Sequence, residues 1–344
     1  MAEKVGFQEL VTNVIDTGRC TGCGTCYLVC PFQGVLEYDG GPKLIGECRV
    51  CGICPRVCPR YKVDVGELER FVFGREKGED EVFGVYREVV VARSRDEGVL
   101  KQAQDGGVVT TLLLSALESG RIDGAVLSGL DPEKPWMPVP VLATTPKEII
   151  SAAGTRYTYS PNILALKEAL ERKLKRVALV GTPDHILATR RLQKFPLKHG
   201  RAIYLTIGLF CSEAFTYQGL ILEEVGERLG IDPSHVKKMN IKGKILIYTD
   251  TGEVKEISLK EAKRVASPFC EYCDDFSAEL SDISCGGVGL EGWTLTIIRT
   301  ERGEEIFNEA LEKGKIETRP VEEFPSSLKI LKKLSKIKRS RTST

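Results

Sequence analysis

Apolar residues are thin and irregularly placed over positions 1–65, and they fall into regular patterns only beyond residue 83. Glu88-Val89-Val90-Val91-Ala92-Arg93 is an apolar run with polar ends, the pattern of a buried strand. A helix is predicted over 108–119, apolar through Leu112–Leu114 and closed by Gly120. Strands are predicted over 124–128, 176–180, 202–209 and 295–299, and helices over 146–152, 162–174, 217–229 and 303–313. The runs 244–249 and 254–258 flank the turn Thr249-Asp250-Thr251-Gly252 and read as a hairpin. Strands alternating with helices in this way predict an α/β domain built on a mixed, partly parallel sheet.

The weakly apolar first part carries eight of the twelve cysteines, in two copies of one spacing. They are Cys20, Cys23, Cys26 and Cys30 before Pro31, then Cys48, Cys51, Cys54 and Cys58 before Pro59. This is the ligand pattern of a paired 4Fe–4S module, in which the fourth thiolate of each run crosses to the other cluster. On that rule Cys20, Cys23, Cys26 and Cys58 hold one cluster, and Cys48, Cys51, Cys54 and Cys30 the second. Proline after the crossing cysteine keeps that residue out of helical torsions. A disulfide framework does not suit such tight triplets, and zinc sites use two C-x2-C pairs instead. Metal ligation is therefore expected to replace a hydrophobic core in this part.

Length and composition set the frame. The chain has 344 residues, a formal charge of +1 and 42% hydrophobic residues, which suits one small and one large domain. The expected division is a bacterial-type two-cluster ferredoxin domain at 1–70, a polar linker at 71–82, an α/β domain at 83–324 and a basic tail at 325–344. No global field attracts nucleic acid. No apolar run reaches membrane-spanning length and 1–16 carries no export signal, so a cytoplasmic location is expected. The tail, LKILKKLSKIKRSR from Leu328, repeats Leu328, Leu331, Leu334 and Ile337 at three-residue steps. It reads either as an amphipathic basic helix for a membrane or acidic partner, or as a frayed solvated end.

Four cysteines remain, Cys211, Cys270, Cys273 and Cys285. The C-x2-C pair with two further thiols suggests a third cluster, with structural zinc as the competing metal. Between the first predicted strand and helix lies Gln104-Asp105-Gly106-Gly107-Val108-Val109-Thr110-Thr111, where paired glycines let backbone amides approach an anion at a helix N-terminus. Thr110 and Thr111 are candidate hydroxyl donors. Two further turns, Thr155-Arg156-Tyr157 with Ser160-Pro161-Asn162, and Gly181-Thr182 after the third strand, complete a candidate dinucleotide crevice. Arg156, Lys242 and Lys244 are candidate partners for a second anionic ligand. The three histidines are scattered and show no ligand spacing.

These segments, in this order, resemble the coenzyme F420 hydrogenase/dehydrogenase beta-subunit family over nearly the whole chain. Further matching stretches are Ile207-Gly208-Leu209-Phe210-Cys211, Asn240-Ile241-Lys242-Gly243, Cys270 to Ala278, Ser281-Asp282-Ile283-Ser284 and Gly292-Trp293. The resemblance implies FAD and one 4Fe–4S cluster in the α/β domain, with hydride exchange between FAD and coenzyme F420. Together with the N-terminal module it implies the electron-input subunit of an F420H2 dehydrogenase, docked on a membrane-bound quinone- or methanophenazine-reducing complex. Alternatives are the beta subunit of an F420-reducing hydrogenase or formate dehydrogenase, a ferredoxin:F420 oxidoreductase, and a non-catalytic electron relay. The family usually carries a cysteine ligand after Gly-Thr-Pro, where this chain has Asp184. Cys285 is expected to substitute as the fourth ligand, with the Asp184 carboxylate as the alternative.

Overall fold

In the computed structural model, which describes residues 5–195 and 197–341, the cysteine-rich part is built from short pieces. Strands β1 (Leu36–Tyr38) and β2 (Pro42–Leu44) pair antiparallel between the two cysteine runs. Helix α1 (Val65–Phe73) follows, capped by the Asp64 carboxylate and closed by Gly74. Residues 1–4 of the expected first domain and 342–344 of the expected tail lie outside the described residues.

The larger part contains β3 (Glu88–Ser94), α2 (Val108–Glu118), β4 (Gly124–Leu130), β5 (Pro138–Ala143), β6 (Val177–Gly181), α3 (Pro183–Lys194) and β7 (Ile203–Leu209). After the π-helical α4 (Gln218–Arg228) come β8 (Val236–Ile241), β9 (Lys244–Thr249) and β10 (Val254–Ser258), which form a separate antiparallel sheet. The chain closes with β11 (Ile283–Gly286), β12 (Thr294–Ile298), α5 (Glu301–Glu312), β13 (Ile316–Pro320) and α6 (Pro325–Ser340). Eight strands form the main sheet in the order β13-β3-β12-β11-β7-β6-β4-β5. Its centre, β4, β6, β7 and β11, is parallel, and the remaining pairings are antiparallel, which makes the sheet mixed as expected.

Alternation along these strands splits the core into layers. Ala92, Ala125, Ala178 and Val180 face α2 and α5, together with Leu112, Ile306 and Phe307. Val126, Val177 and Leu179 face the other way, toward α3 and the cysteine-rich part, while Val91 and Leu295 pack against α6 through Leu331.

Three expectations change. The first 65 residues do not lack a core: Phe7, Leu10, Val14, Val57 and Leu68 are buried in one cluster with Ile163, Leu166, Ile186 and Leu192 of the larger part. Too few apolar groups for an independent domain suffice once they are shared. The 71–82 stretch is also no free linker. It begins within α1, Arg75 pairs with Glu81 at 2.6 Å, and Lys77 reaches Glu69 and Glu279 at 3.4 and 3.0 Å. Finally, the basic tail is a packed helix. Its buried stripe is Ser327, Leu331, Ser335 and Lys338, with Leu328 and Leu334 of the three-step repeat partly buried beside it and only Ile337 of that repeat exposed.

Candidate functional site

Gly24 and Gly52 adopt left-handed torsions (φ +76° and +77°) at the starts of the short helices Thr25–Leu28 and Ile53–Val57. They turn each cysteine run around a hollow. At Gly24 a Cβ would also collide with Leu164, so the close seat of the first run on the larger part requires glycine. Cys20, Cys23, Cys26 and Cys58 line one cavity of about 290 Å³, and Cys30, Cys48, Cys51 and Cys54 line another of about 340 Å³. The fourth cysteine of each run is thus found with the other triplet.

Electrostatics agree with that partition. Burial, then the charge of Cys23, pushes the Cys58 thiol up to about 12. Burial, then Cys48, Cys51 and Cys30, raises Cys54 to about 12. Four thiols gathered around one hollow are a donor set for a cationic centre, which displaces thiol protons.

A third set, three thiols and a carboxylate, lies where the two parts meet. Cys211 follows β7, Cys270 and Cys273 flank a 3₁₀ turn, and Asp184 is the second residue of α3. Burial raises Cys211 to about 12 and Cys270 to about 11, and in both the other members of the set, Asp184 included, act on the thiol. Arg60, two residues beyond Cys58, pairs with Asp184 and donates to the Tyr272 carbonyl at 2.7 Å. Lys338 of α6 donates to the carbonyls of Cys211 and Ser212 at 3.1 and 2.8 Å.

Cys285 does not join this set. It lies on β11 in the layer that faces α2 and α5, with its thiol 4.0 Å from the Thr296 hydroxyl and only burial and that contact acting on it. The strand's alternation turns the side chain away from Cys211, although Phe210 donates its amide to the Cys285 carbonyl at 2.9 Å. The expected fourth thiolate is therefore corrected: Asp184, not Cys285, stands with the three cysteines.

The glycine loop is tightly seated. Gly106 donates to the Thr294 hydroxyl at 3.1 Å and accepts from the Ser94 amide at 2.7 Å, and a Cβ there would lie 2.8 Å from both the Ala92 carbonyl and the Thr294 amide. Gly107, at φ +70°, opens α2 with Val108 as its first residue. The Thr111 hydroxyl is committed to Ser94 at 2.7 Å and the Gly107 carbonyl at 3.0 Å, whereas no hydrogen bond of the Thr110 hydroxyl is seen among the described residues. Gln104 donates to the Met239 carbonyl at 3.1 Å, and Lys238 to the Gln104 carbonyl at 3.0 Å. Burial raises Asp105, opposed by Lys238 and Lys242, and the same Asp105 helps burial to raise Tyr157. Lys242 itself reaches Glu291 at 3.3 Å on the surface, and Lys244 is paired with Glu256 at 2.5 Å. Arg156, next to Thr155, donates to the carbonyls of Ala153 and Gly154 at 2.5 and 2.8 Å. Among the described residues its Nε has no partner, and burial lowers its pKa to about 10.

Ser160, Asn162, Gly181 and Thr182 form a separate group beside Asp184. Asn162 donates to the Val180 carbonyl at 3.0 Å, and Thr182 lies 3.0 Å from His185 Nδ1 at the head of α3. Among the described residues the Ser160 hydroxyl and the Asn162 carbonyl oxygen are buried without hydrogen-bond partners. The predicted crevice residues thus divide into two groups.

Residues 89–167 match the family model for the N-terminal part of the coenzyme F420 hydrogenase/dehydrogenase beta subunit, and residues 174–324 match the model for its C terminus. Residues 13–34 match a 4Fe-4S binding domain. The chain is 42% identical over 270 residues to the beta subunit of coenzyme F420 hydrogenase from Methanosarcina barkeri, covering 76% of this chain and 91% of that one. This chain belongs to the coenzyme F420 hydrogenase/dehydrogenase beta-subunit family. A second relative, the F subunit of F(420)H(2) dehydrogenase from Methanosarcina mazei, is 31% identical over 96% of this chain and 92% of its own length. The solved F420-reducing [NiFe] hydrogenase complex from Methanosarcina barkeri contains a chain with TM-score 0.74 and 40% identity, covering 78% of this chain and 93% of that one.

Within this family fold, sequence reasoning passes over Arg60, Arg191, Lys238 and Lys338. Arg191 of α3 donates to the carbonyls of Arg56 and Tyr61 at 2.7 Å each, and to those of Pro55 and Cys58, fastening the second cysteine run. Position beside Cys58 is the one available signal for Arg60. Lys338 has none, as one lysine among several on its helix.

Proposed function

We propose that this chain converts hydride chemistry to one-electron chemistry in an F420-dependent oxidoreductase, with FAD and three 4Fe–4S clusters. The carrying observation is continuity. Arg60 links the run that ends in Cys58 to Asp184 and the third site, and Gly286-Gly287 abuts both Phe210, beside Cys211, and Asp105 of the glycine loop.

Bound FAD would supply exchange between a hydride and single electrons, and iron–sulfur clusters carry electrons singly. The residues fit these groups. Arg156, partly buried and with no carboxylate paired to it among the described residues, is suited to a phosphate, and the N-terminus of α2 at Gly107 suits an anion. Lys238 and Lys242 hold positive charge beside Asp105 at the mouth of this crevice, where an anionic F420 would lie. Asp184 would complete the third cluster. Its pairing with Arg60 holds the carboxylate in place. Of the two N-terminal sites, the one holding Cys58 faces the larger part through Arg60 and Arg191, while Cys51 of the other is exposed among exposed Phe32, Ile45 and Val50. Electrons would leave there, to a partner protein of the same complex.

The match to the F subunit of F(420)H(2) dehydrogenase spans 96% of this chain and so takes in the cysteine runs, which favours the dehydrogenase reading over the hydrogenase one. A membrane-bound quinone- or methanophenazine-reducing complex is the partner of that reading. Among the described residues no helix is long and apolar enough to cross a membrane. Anaerobic mixing of purified protein with F420H2 tests the proposal. The flavin band should bleach, followed by the cluster absorbance, and Arg156→Gln should lower flavin retention at least about tenfold, the scale of one lost charged hydrogen bond. Protein with no flavin band, or one that F420H2 leaves unbleached, removes the reading.

A further inference from the structure

Helix α6 ends over the third site rather than in solvent. Leu331 is fully buried against Phe276 and Leu295, and two turns further the chain delivers Lys338, 2% exposed, to the carbonyls of Cys211 and Ser212. Arg341 donates to the Cys270 carbonyl at 3.2 Å and pairs with Glu213 at 3.0 Å, so the helix end spans both cysteine-bearing loops. The Lys338 ammonium thus lies against the loop that carries Cys211, at the site shared with Cys270, Cys273 and Asp184.

A lysine is costly to bury, and among the described residues no carboxylate is hydrogen-bonded to this one. Its two acceptors are neutral carbonyls, so its charge is directed to the anionic set and not spent on a salt bridge. A fixed cation in a low-dielectric interior favours the state of a neighbouring centre that carries one more electron. We propose that Lys338 is a built-in counter-charge for the cluster held by Cys211, Cys270, Cys273 and Asp184, so that the closing helix sets that cluster's reduction potential. Lys338 is a positioning residue in this role. The inference rests on the reading of the third site as a cluster.

The test is an EPR-monitored redox titration of the full chain, the third cluster being the signal that Cys270→Ser removes. Lys338→Gln should shift its oxidised-to-reduced balance at least tenfold toward oxidised, a fall in midpoint of about 59 mV for one electron. Lys338→Arg should keep the midpoint near that of the unaltered protein, and the two N-terminal signals should stay in place in both variants. Loss of the signal in Lys338→Gln with retention in Lys338→Arg would also support the role, because charge alone then holds the site. An unchanged midpoint in Lys338→Gln, an equal fall in Lys338→Arg, or loss of the signal from both variants would overturn it in favour of simple packing. Unaltered protein with only two cluster signals would instead overturn the three-cluster reading.

Discussion

At Asp184 one side chain serves two partners: it pairs with Arg60 and it stands in the anionic set with Cys211, Cys270 and Cys273. A carboxylate is a harder ligand than a thiolate, and softness governs what iron–sulfur centres select. On the proposed reading of three clusters of four irons, Asp184→Ala should drop the iron content from about twelve to about eight per chain. Asp184→Cys should restore it. Cys285→Ser should leave iron and acid-labile sulfide unchanged, because that thiol belongs to the opposite layer of the sheet. Retained iron in Asp184→Ala, or loss in Cys285→Ser, would reverse the assignment. The spacing of the first eight cysteines is enough to pair them into cavities. Asp184 and Cys285 cannot be told apart in that way, since the choice depends on which face of β11 a side chain occupies.

Most elements in the middle of the sheet are legible in the sequence, the short strand β11 excepted, and the two edge strands are not. The runs of β3, β4, β6 and β7 are apolar because both faces are covered, and each is placed by its pattern. Strand β5 carries Pro138 and Pro140, which read as breakers, yet it is tolerated because β5 is the last strand and pairs on one side only. Helix α3 escapes the pattern although Thr182 and Pro183 mark its start. The short helix Lys198–Ala202 holds His199, whose pKa burial, aided by the Lys198 charge, lowers to about 4 from an ordinary 6.5. The unfolded chain therefore binds a proton at pH values where the fold does not. This contribution to stability is present above about pH 6.5 and is lost as pH falls through about 4. His199→Gln should flatten the fall in Tm between pH 6.5 and 4. An unchanged slope would show that this ring is not held neutral by the fold.

On the scale of the whole molecule, the cysteine-rich part and the α/β part share one core, and Arg191 fastens them through four backbone carbonyls. Three of these contacts are part-buried and one is exposed, so removing the guanidinium costs at most about 1–3 kcal/mol for each acceptor left shielded from water. Arg191→Ala should make proteolysis between residues 56 and 80 at least tenfold faster while leaving the sheet intact by circular dichroism. Equal cleavage rates would mean that the shared apolar cluster alone secures the contact.

The chain by itself determined what depends on near neighbours. Ligand spacing, the glycine loop at a helix start and the alternation of strand and helix are local, because metal-binding loops and backbone hydrogen bonding act over a few residues. Tertiary structure decided which groups from distant segments share a small volume. Asp184 enters the third site and Cys285 leaves it, and a lysine from the last turn of the closing helix is brought beside thiols some 65 to 127 positions earlier. Side-chain direction on a strand or helix becomes an address only when the element has packed, so charge placement at the proposed redox centre is a property of the fold.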